Sequence, residues 1–292
     1  MDLNVWGYIS TFIDNNEDKC CLMMTCTQIS NCNFTFDKRI DIGKINGSKW
    51  FDKFTNILVN DTVKLPAGVT QLRFDYKFNK SIKGYIPSTV KKLIFGNKFN
   101  RSVKDRIPYG VTHILFGYRF NQSIEGYIPS SVTHLMFNDK MDENGDIFPD
   151  DSNMSHFNKS IRNSIPSSIT HLILGCDFAE RINDCMPNGV THLVLTSYSY
   201  GEYLVGNVIP SSVTNIAMDY EMYKTFETIP STVTYLSLFE CYNDDIINIP
   251  TTIKHLRIEN MGSNVFREDL IVEVDKQLLW TITAESIKMF VP

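Results

Sequence analysis

Five of the six histidines in this 292-residue chain share one phase: His113, His134, His171, His192 and His255, with His156 apart. Imidazole changes charge near neutral pH and is the commonest metal ligand, so a phased set is where chemistry would first be sought. A metal needs three or four ligands converging on one point. Steps of 21, 37, 21 and 63 residues place these rings in a line instead, and no carboxylate shares their phase. Neighbouring parallel strands lie about 4.8 Å apart, so adjacent rings cannot both be charged without repulsion. The expected role is a stacked, uncharged ladder along one surface; contact with a partner is the other use open to it.

Cys20, Cys21, Cys26 and Cys32 crowd the N-terminal segment. Zinc sites favour Cys pairs about two to four residues apart. Adjacent cysteines followed by steps of five and six fit poorly, and no histidine lies close in sequence. They read as small buried residues. The run DKMDENGDIFPDDSNM, residues 139–154, carries six acids against one Lys and superficially suggests a calcium loop. Counted back from Gly145 as the sixth loop position, the first is Lys140 and the twelfth is Asp151 rather than Glu, so the ligand set fails. A solvated excursion and an acidic partner-contact loop both stay open for it. The chain has no Gly-x-Gly-x-x-Gly, Walker loop, His-Glu-x-x-His or Gly-x-Ser-x-Gly. No residue is left to carry catalysis, and the expectation is a non-enzymatic protein without cofactor or metal.

What positions the histidines is a repeat. Phased prolines occur at Pro66, Pro87, Pro108, Pro129, Pro166, Pro187, Pro210, Pro230 and Pro250, at spacings of 21, 21, 21, 37, 21, 23, 20 and 20 residues. Three residues past each stands Val or Ile, six past it Leu or Ile, eight past it usually Phe or Leu. A period near 20 marks a solenoid, in which each copy is one coil stacked on the last. Side chains alternate faces along a strand, so Leu72, Ile114, Leu172 and their mates, with Phe74, Phe116, Leu174 and theirs, are core. The histidines, five past the proline, look the other way. Beside them, seven past it, run Ile94, Leu115, Met136, Ile173 and Val194. An apolar stripe there is either an exposed docking surface or a row covered by loops, following strand propensity. If it docks a target, His113, His134, His171 and His192 with these five residues form the contact. The Phe-Asn pairs at 78–79, 99–100, 120–121 and 157–158 should fill the back of the core and bind backbone groups of the adjacent coil.

The pattern Phe-Asn-x-Ser-Ile … Ile-Pro-Ser-Ser-Val-Thr-His-Leu resembles the FNIP repeat, a leucine-rich-repeat relative abundant in amoebae and giant viruses. The resemblance runs from Pro66 to about residue 260. It is closest up to Leu174; later, Ala179 replaces the Asn and the last three coils lose the Phe-Asn pair. It implies a mainly β solenoid of leucine-rich-repeat type, with a parallel sheet along one face.

Ahead of the repeats, Leu3, Trp6, Ile9, Phe12 and Ile13 recur at helical spacing. The polar turn Asp14–Asp18 follows, and the pattern resumes through Leu22, Thr25 and Cys26. This predicts a small α-helical hairpin over residues 1–32, too short to be stable alone. It resembles an F-box, although Leu3 is followed by Asn4 where that family has Pro. The resemblance implies adaptor binding through Leu3, Ile9, Phe12, Ile13, Leu22 and Cys26. The partner would be the S-phase kinase-associated adaptor of a cullin–RING ubiquitin ligase, with the solenoid holding an unknown target protein. Placement would be cytoplasmic, or in host cytoplasm for a viral protein. A helical cap over the first coil is the alternative, since solenoids need one.

Residues 33–65, rich in Phe and Ile, form a bridge of degenerate coils, and residues 261–292 leave the period as a strand-like cap. Net charge of −5 and pI near 5.7 give no general reason to bind nucleic acid. The chain has no run of 18 apolar residues, so no membrane span is expected. Seven cysteines, an odd and mostly unphased set, suit a reducing compartment, and the first residues lack the positive region of a secretory signal.

Overall fold

The computed structural model describes residues 35–258 apart from 37–38, 49–50, 138–154, 176, 181, 183–184, 196–208, 227 and 240–248. The predicted hairpin, the acidic insert, the four clustered cysteines and the C-terminal cap lie outside the described residues.

Eleven strands form one parallel sheet whose spatial order is its sequence order. They are β1 (Ile40–Asp41), β2 (Asn56–Val59), β3 (Gln71–Phe74), β4 (Lys92–Ile94), β5 (His113–Phe116), β6 (His134–Phe137), β7 (His171–Leu174), β8 (His192–Leu195), β9 (Asn215–Asp219), β10 (Tyr235–Phe239) and β11 (His255–Ile258). Two four-residue helices, α1 (Ile42–Ile45) and α2 (Tyr220–Tyr223), are the only α-helices among the described residues. Nine strands follow the nine phased prolines. Two more, β1 and β2, precede them inside residues 33–65. Register is position for position: Ile114 pairs with Leu135, Leu135 with Leu172 and Leu172 with Leu193. The 37-residue spacing therefore leaves the pairing of β6 with β7 intact.

Local chemistry explains each corner. Proline fixes its own φ and has no N–H to offer a ladder. At all nine positions its carbonyl accepts the N–H three residues on, as in Val90 to Pro87 (3.2 Å) and Val213 to Pro210 (3.0 Å). That turn swings the chain into the strand. After β4 and β5, tight stacking needs glycine. A Cβ on Gly96 would sit 2.1 Å from the Asp75 carbonyl oxygen, and one on Gly117 would sit 2.7 Å from the Gly96 backbone. The return arc turns through a left-handed residue, Gly84 (φ 68°), Asp105 (φ 54°), Gly126 (φ 69°) or Asn163 (φ 57°), one per coil. Only Gly and short polar side chains visit that region readily.

Between strand and return lies a double column of rings. Phe95 stacks on Phe74 and Phe116 at 5.3 and 5.0 Å. Behind it Phe99 stacks between Phe78 and Phe120 at 6.3 and 6.1 Å. The two columns meet within each coil, with Phe116 to Phe120 at 3.8 Å. The Asn beside each rear Phe binds the next coil: the Asn100 N–H donates to Asn79 Oδ1, Asn121 to Asn100, Asn158 to Asn121 and Ala179 to Asn158, at 3.0–3.1 Å. This side-chain ladder supplies partners to return backbone that no sheet or helix satisfies.

Candidate functional site

The second face of the sheet carries the histidines. His113 pairs in register with His134, His134 with His171, and His171 with His192. Their rings stack at centroid separations of 4.2, 4.1 and 4.1 Å, with interplanar angles of 12–14°. The column continues through Asn215 and Tyr235 to His255. Each Nδ1 lies 2.8–2.9 Å from the hydroxyl of the preceding threonine, Thr112, Thr133, Thr170 or Thr191. The same hydroxyl reaches a carbonyl of the previous coil, as in Thr133 Oγ1 to Thr112 O at 3.2 Å. A neutral ring satisfies this arrangement in either tautomer, because the hydroxyl can donate to Nδ1 or turn to the carbonyl while Nδ1–H donates to it.

Electrostatics favours the neutral form. Burial pushes His113 and His134 down to about 4 and His171 to about 3, and the neighbouring rings and the Lys92 ammonium beside the first two add to it. Burial also lowers His192. At neutral pH the four stacked rings are uncharged. Among the described residues no group of three or more His, Cys, Asp or Glu is arranged to hold a metal. Such rings are weak bases and poor acids; what they do here is pack, hydrogen-bond and fix the spacing of the coils.

The apolar row beside them departs from the docking-stripe expectation. Ile94 is 0% exposed and Ile173 3%, with Leu115, Met136 and Val194 at 1% each. None of the five belongs to the hydrophobic core on the other face, yet all are shut off from solvent. The physical reason was written in the strands: Leu-Ile-Phe and His-Leu-Val-Leu read as near-continuous apolar runs, the mark of parallel strands buried on both faces. An open stripe would leave the strands alternating. Of the predicted contact residues, only the histidines reach the surface; His113, His171 and His192 are half-buried and His134 is 9% exposed. The exposed residue missed at the corner before β5 is Tyr109, one past Pro108 and 75% exposed. A tyrosine in a place held elsewhere by Ser, Ala, Asn or Thr was its signal. The adaptor-contact residues Leu3, Ile9, Phe12, Ile13, Leu22 and Cys26 lie outside the described residues.

Eleven in-register parallel strands, each one turn of a coil, define a repeat protein with a β-solenoid body. The model of the FNIP Repeat family matches residues 60–98 and 99–140, so FNIP repeats are present in the first coils. No curated protein matches the chain. Among solved structures it is similar to CroV588, described as a novel circular LRR protein structure, at 26% identity and a TM-score of 0.44. That match covers 71% of this chain but spans only 37% of CroV588. It is also similar to the leucine-rich repeat-containing protein LegL7 from Legionella pneumophila, at 19% identity and a TM-score of 0.37, covering 69% of this chain and 72% of that one. Both superpositions are loose, and the fold assignment rests on the sheet and its register.

Proposed function

We propose that this chain is a non-catalytic interaction scaffold that serves as the target-recognition subunit of a cullin–RING ubiquitin ligase. The observation that carries the scaffold part is the unbroken register of the sheet. Coils locked by Thr, His, Asn and Phe ladders keep their exposed rims at fixed spacing, and a preordered surface loses little entropy on binding. The half-buried His113, His171 and His192 offer ring edges and hydrogen-bonding atoms along one row, and Tyr109 adds an exposed ring at the corner before β5. Aromatic groups with a polar tip suit protein contacts.

The ligase part rests on the F-box resemblance of residues 1–32 and its position ahead of FNIP repeats. The mechanism is proximity. The solenoid holds a target protein where a ubiquitin-loaded enzyme reaches its lysines, raising effective concentration without chemistry of its own. Co-purification with the S-phase kinase-associated adaptor tests this reading. The complex is expected to form with the intact chain and to be lost in Ile9→Asp or Phe12→Asp while the solenoid's circular dichroism is unchanged. An adaptor that ignores the intact chain leaves a scaffold with a helical cap and no role in ubiquitin transfer.

A further inference from the structure

The net charge of −5 conceals a segregated distribution. Residues 66–137 hold eleven Lys and Arg against three Asp and Glu, a balance of +8 that leaves −13 for the rest of the chain. The surplus is phased on the return arc. Eleven residues past the proline stand Lys77, Lys98 and Arg119; fourteen past, Lys80 and Arg101; seventeen past, Lys83 and Lys104. In the coil that carries the insert, His156, Lys159 and Arg162 take the matching places around Phe157 and Ile161. Buried anchors such as Phe78 and Ile82 hold the arc to the core and turn these neighbours outward. All of the cations are exposed except Lys98, which is half-buried over the Tyr76 ring at 5.4 Å. The face ends where Asp177 and Glu180 fill the same phases one coil later.

Pairing is confined to its margins. Lys80 meets Asp61 and His156 meets Asp177. The eight cations between them have no salt-bridge partner among the described residues, and only Glu125 and the neighbouring Asp105 bring opposite charge onto the arc. At about 4.8 Å per coil, so many like charges repel one another, a cost that a polyanion would relieve.

We propose that this back face binds the phosphate backbone of nucleic acid. Three features favour that polyanion over an acidic protein or an anionic membrane. Protein interfaces bury an apolar centre depleted of charge, and peripheral membrane binding by a surface of this kind adds apolar groups that enter the lipid. The large exposed hydrophobic residues among the described ones are Val63 and Tyr109, neither of them in the cationic columns. Between the cations lie instead Asn79, Asn100, Ser81 and Ser123, the neutral donors that accompany Lys and Arg on phosphates. Nucleic-acid interfaces are the strongly positive, polar ones. Because the cationic arc itself offers no helix or ribbon to a groove, binding is independent of sequence.

The test uses the full chain with fluorescently labelled duplex DNA and single-stranded RNA, followed by anisotropy across a salt series. With about four phosphates neutralised, affinity falls roughly 100-fold between about 50 and 200 mM salt. The triple variant Lys83→Gln, Lys104→Gln, Arg162→Gln weakens binding and flattens the salt slope by about one per contact removed. A control losing the same charge at exposed sites elsewhere, Lys44→Gln, Lys64→Gln, Lys254→Gln, binds as the parent does. Circular dichroism establishes that both variants fold. The proposal is overturned by absence of binding at low salt, by equal losses in the two triples, or by tighter binding to phosphatidylserine vesicles or polyglutamate than to either nucleic acid.

Discussion

The coils that open at Pro87 and Pro108 and the one that opens at Pro210 share their fronts and differ in their backs. In the early pair a 21-residue coil carries two Phe columns and the Asn ladder. After β9 the chain instead turns through α2, and Tyr220, Met222, Tyr223 and Phe226 fill the space. Yet Ile216, Met218, Leu236 and Leu238 in the late strands are as buried as Ile114 and Phe116 in the early ones. In the nine phased coils the strand is set by three apolar positions and one proline turn. The back is a separate solution, and any fill that covers the strand's inner face serves.

The largest test of that division is Phe116→Ala. Phe116 touches rings on both neighbouring coils and on its own return, and removing it should cost about 3–5 kcal/mol, as aromatic truncations in cores do. Met218, its counterpart in the late set, should cost about 2–5 kcal/mol on the same change. Urea unfolding of both variants checks whether the early back is the more tightly knit.

A pH series separates the two regions next. The early ladder is His on His, whereas the late one has Asn215 and Tyr235 in the same row. The folded-state values of His113, His134 and His171 lie below the ordinary 6.5, at about 4, 4 and 3. Below 6.5 the unfolded chain therefore binds more protons than the folded one. The stabilisation is complete above 6.5 and is lost as pH falls from there through about 4 to about 3. His171→Asn, which copies the late coil's residue, should make the unfolding midpoint less steep in pH over that window. An unchanged slope would mean that the rings are already solvated.

Smaller effects follow from the return arc. Asn100 Oδ1 accepts from both the Asn121 N–H and the Gln122 side chain, so Asn100→Ala should cost about 1 kcal/mol. Asp105 holds φ at 54°, so Asp105→Gly should gain about 0.5–1 kcal/mol by relieving the left-handed strain. Thermal unfolding resolves both.

Much of the front was legible because proline, Val, Leu and Phe recur at fixed offsets and a strand's two-residue alternation leaves one face for the core. The histidine column followed from the same arithmetic. The fate of the Ile94–Val194 row was harder, because alternation says which way a side chain points and not what lies over it; the apolar runs said more than the faces did. β1 and β2 keep strand character without a phased proline, so the period could not place them. The cationic columns were spelled out at fixed offsets too, but a net charge averages them against acids elsewhere in the chain.

The most direct measurement asks whether β6 and β7 are neighbours across the 37-residue step. His134 and His171 pair in register, with Cα atoms about 4.8 Å apart, inside the range of about 4.4–6.8 Å that a disulfide spans. His113 and His171 stand two strands apart, roughly 10 Å. The double variant His134→Cys, His171→Cys should cross-link on mild oxidation, with the bond mapped by mass spectrometry, while His113→Cys, His171→Cys should not. The reverse outcome would mean that the coils do not follow one another in a single ribbon, and the ladders and faces built on that order would fall together.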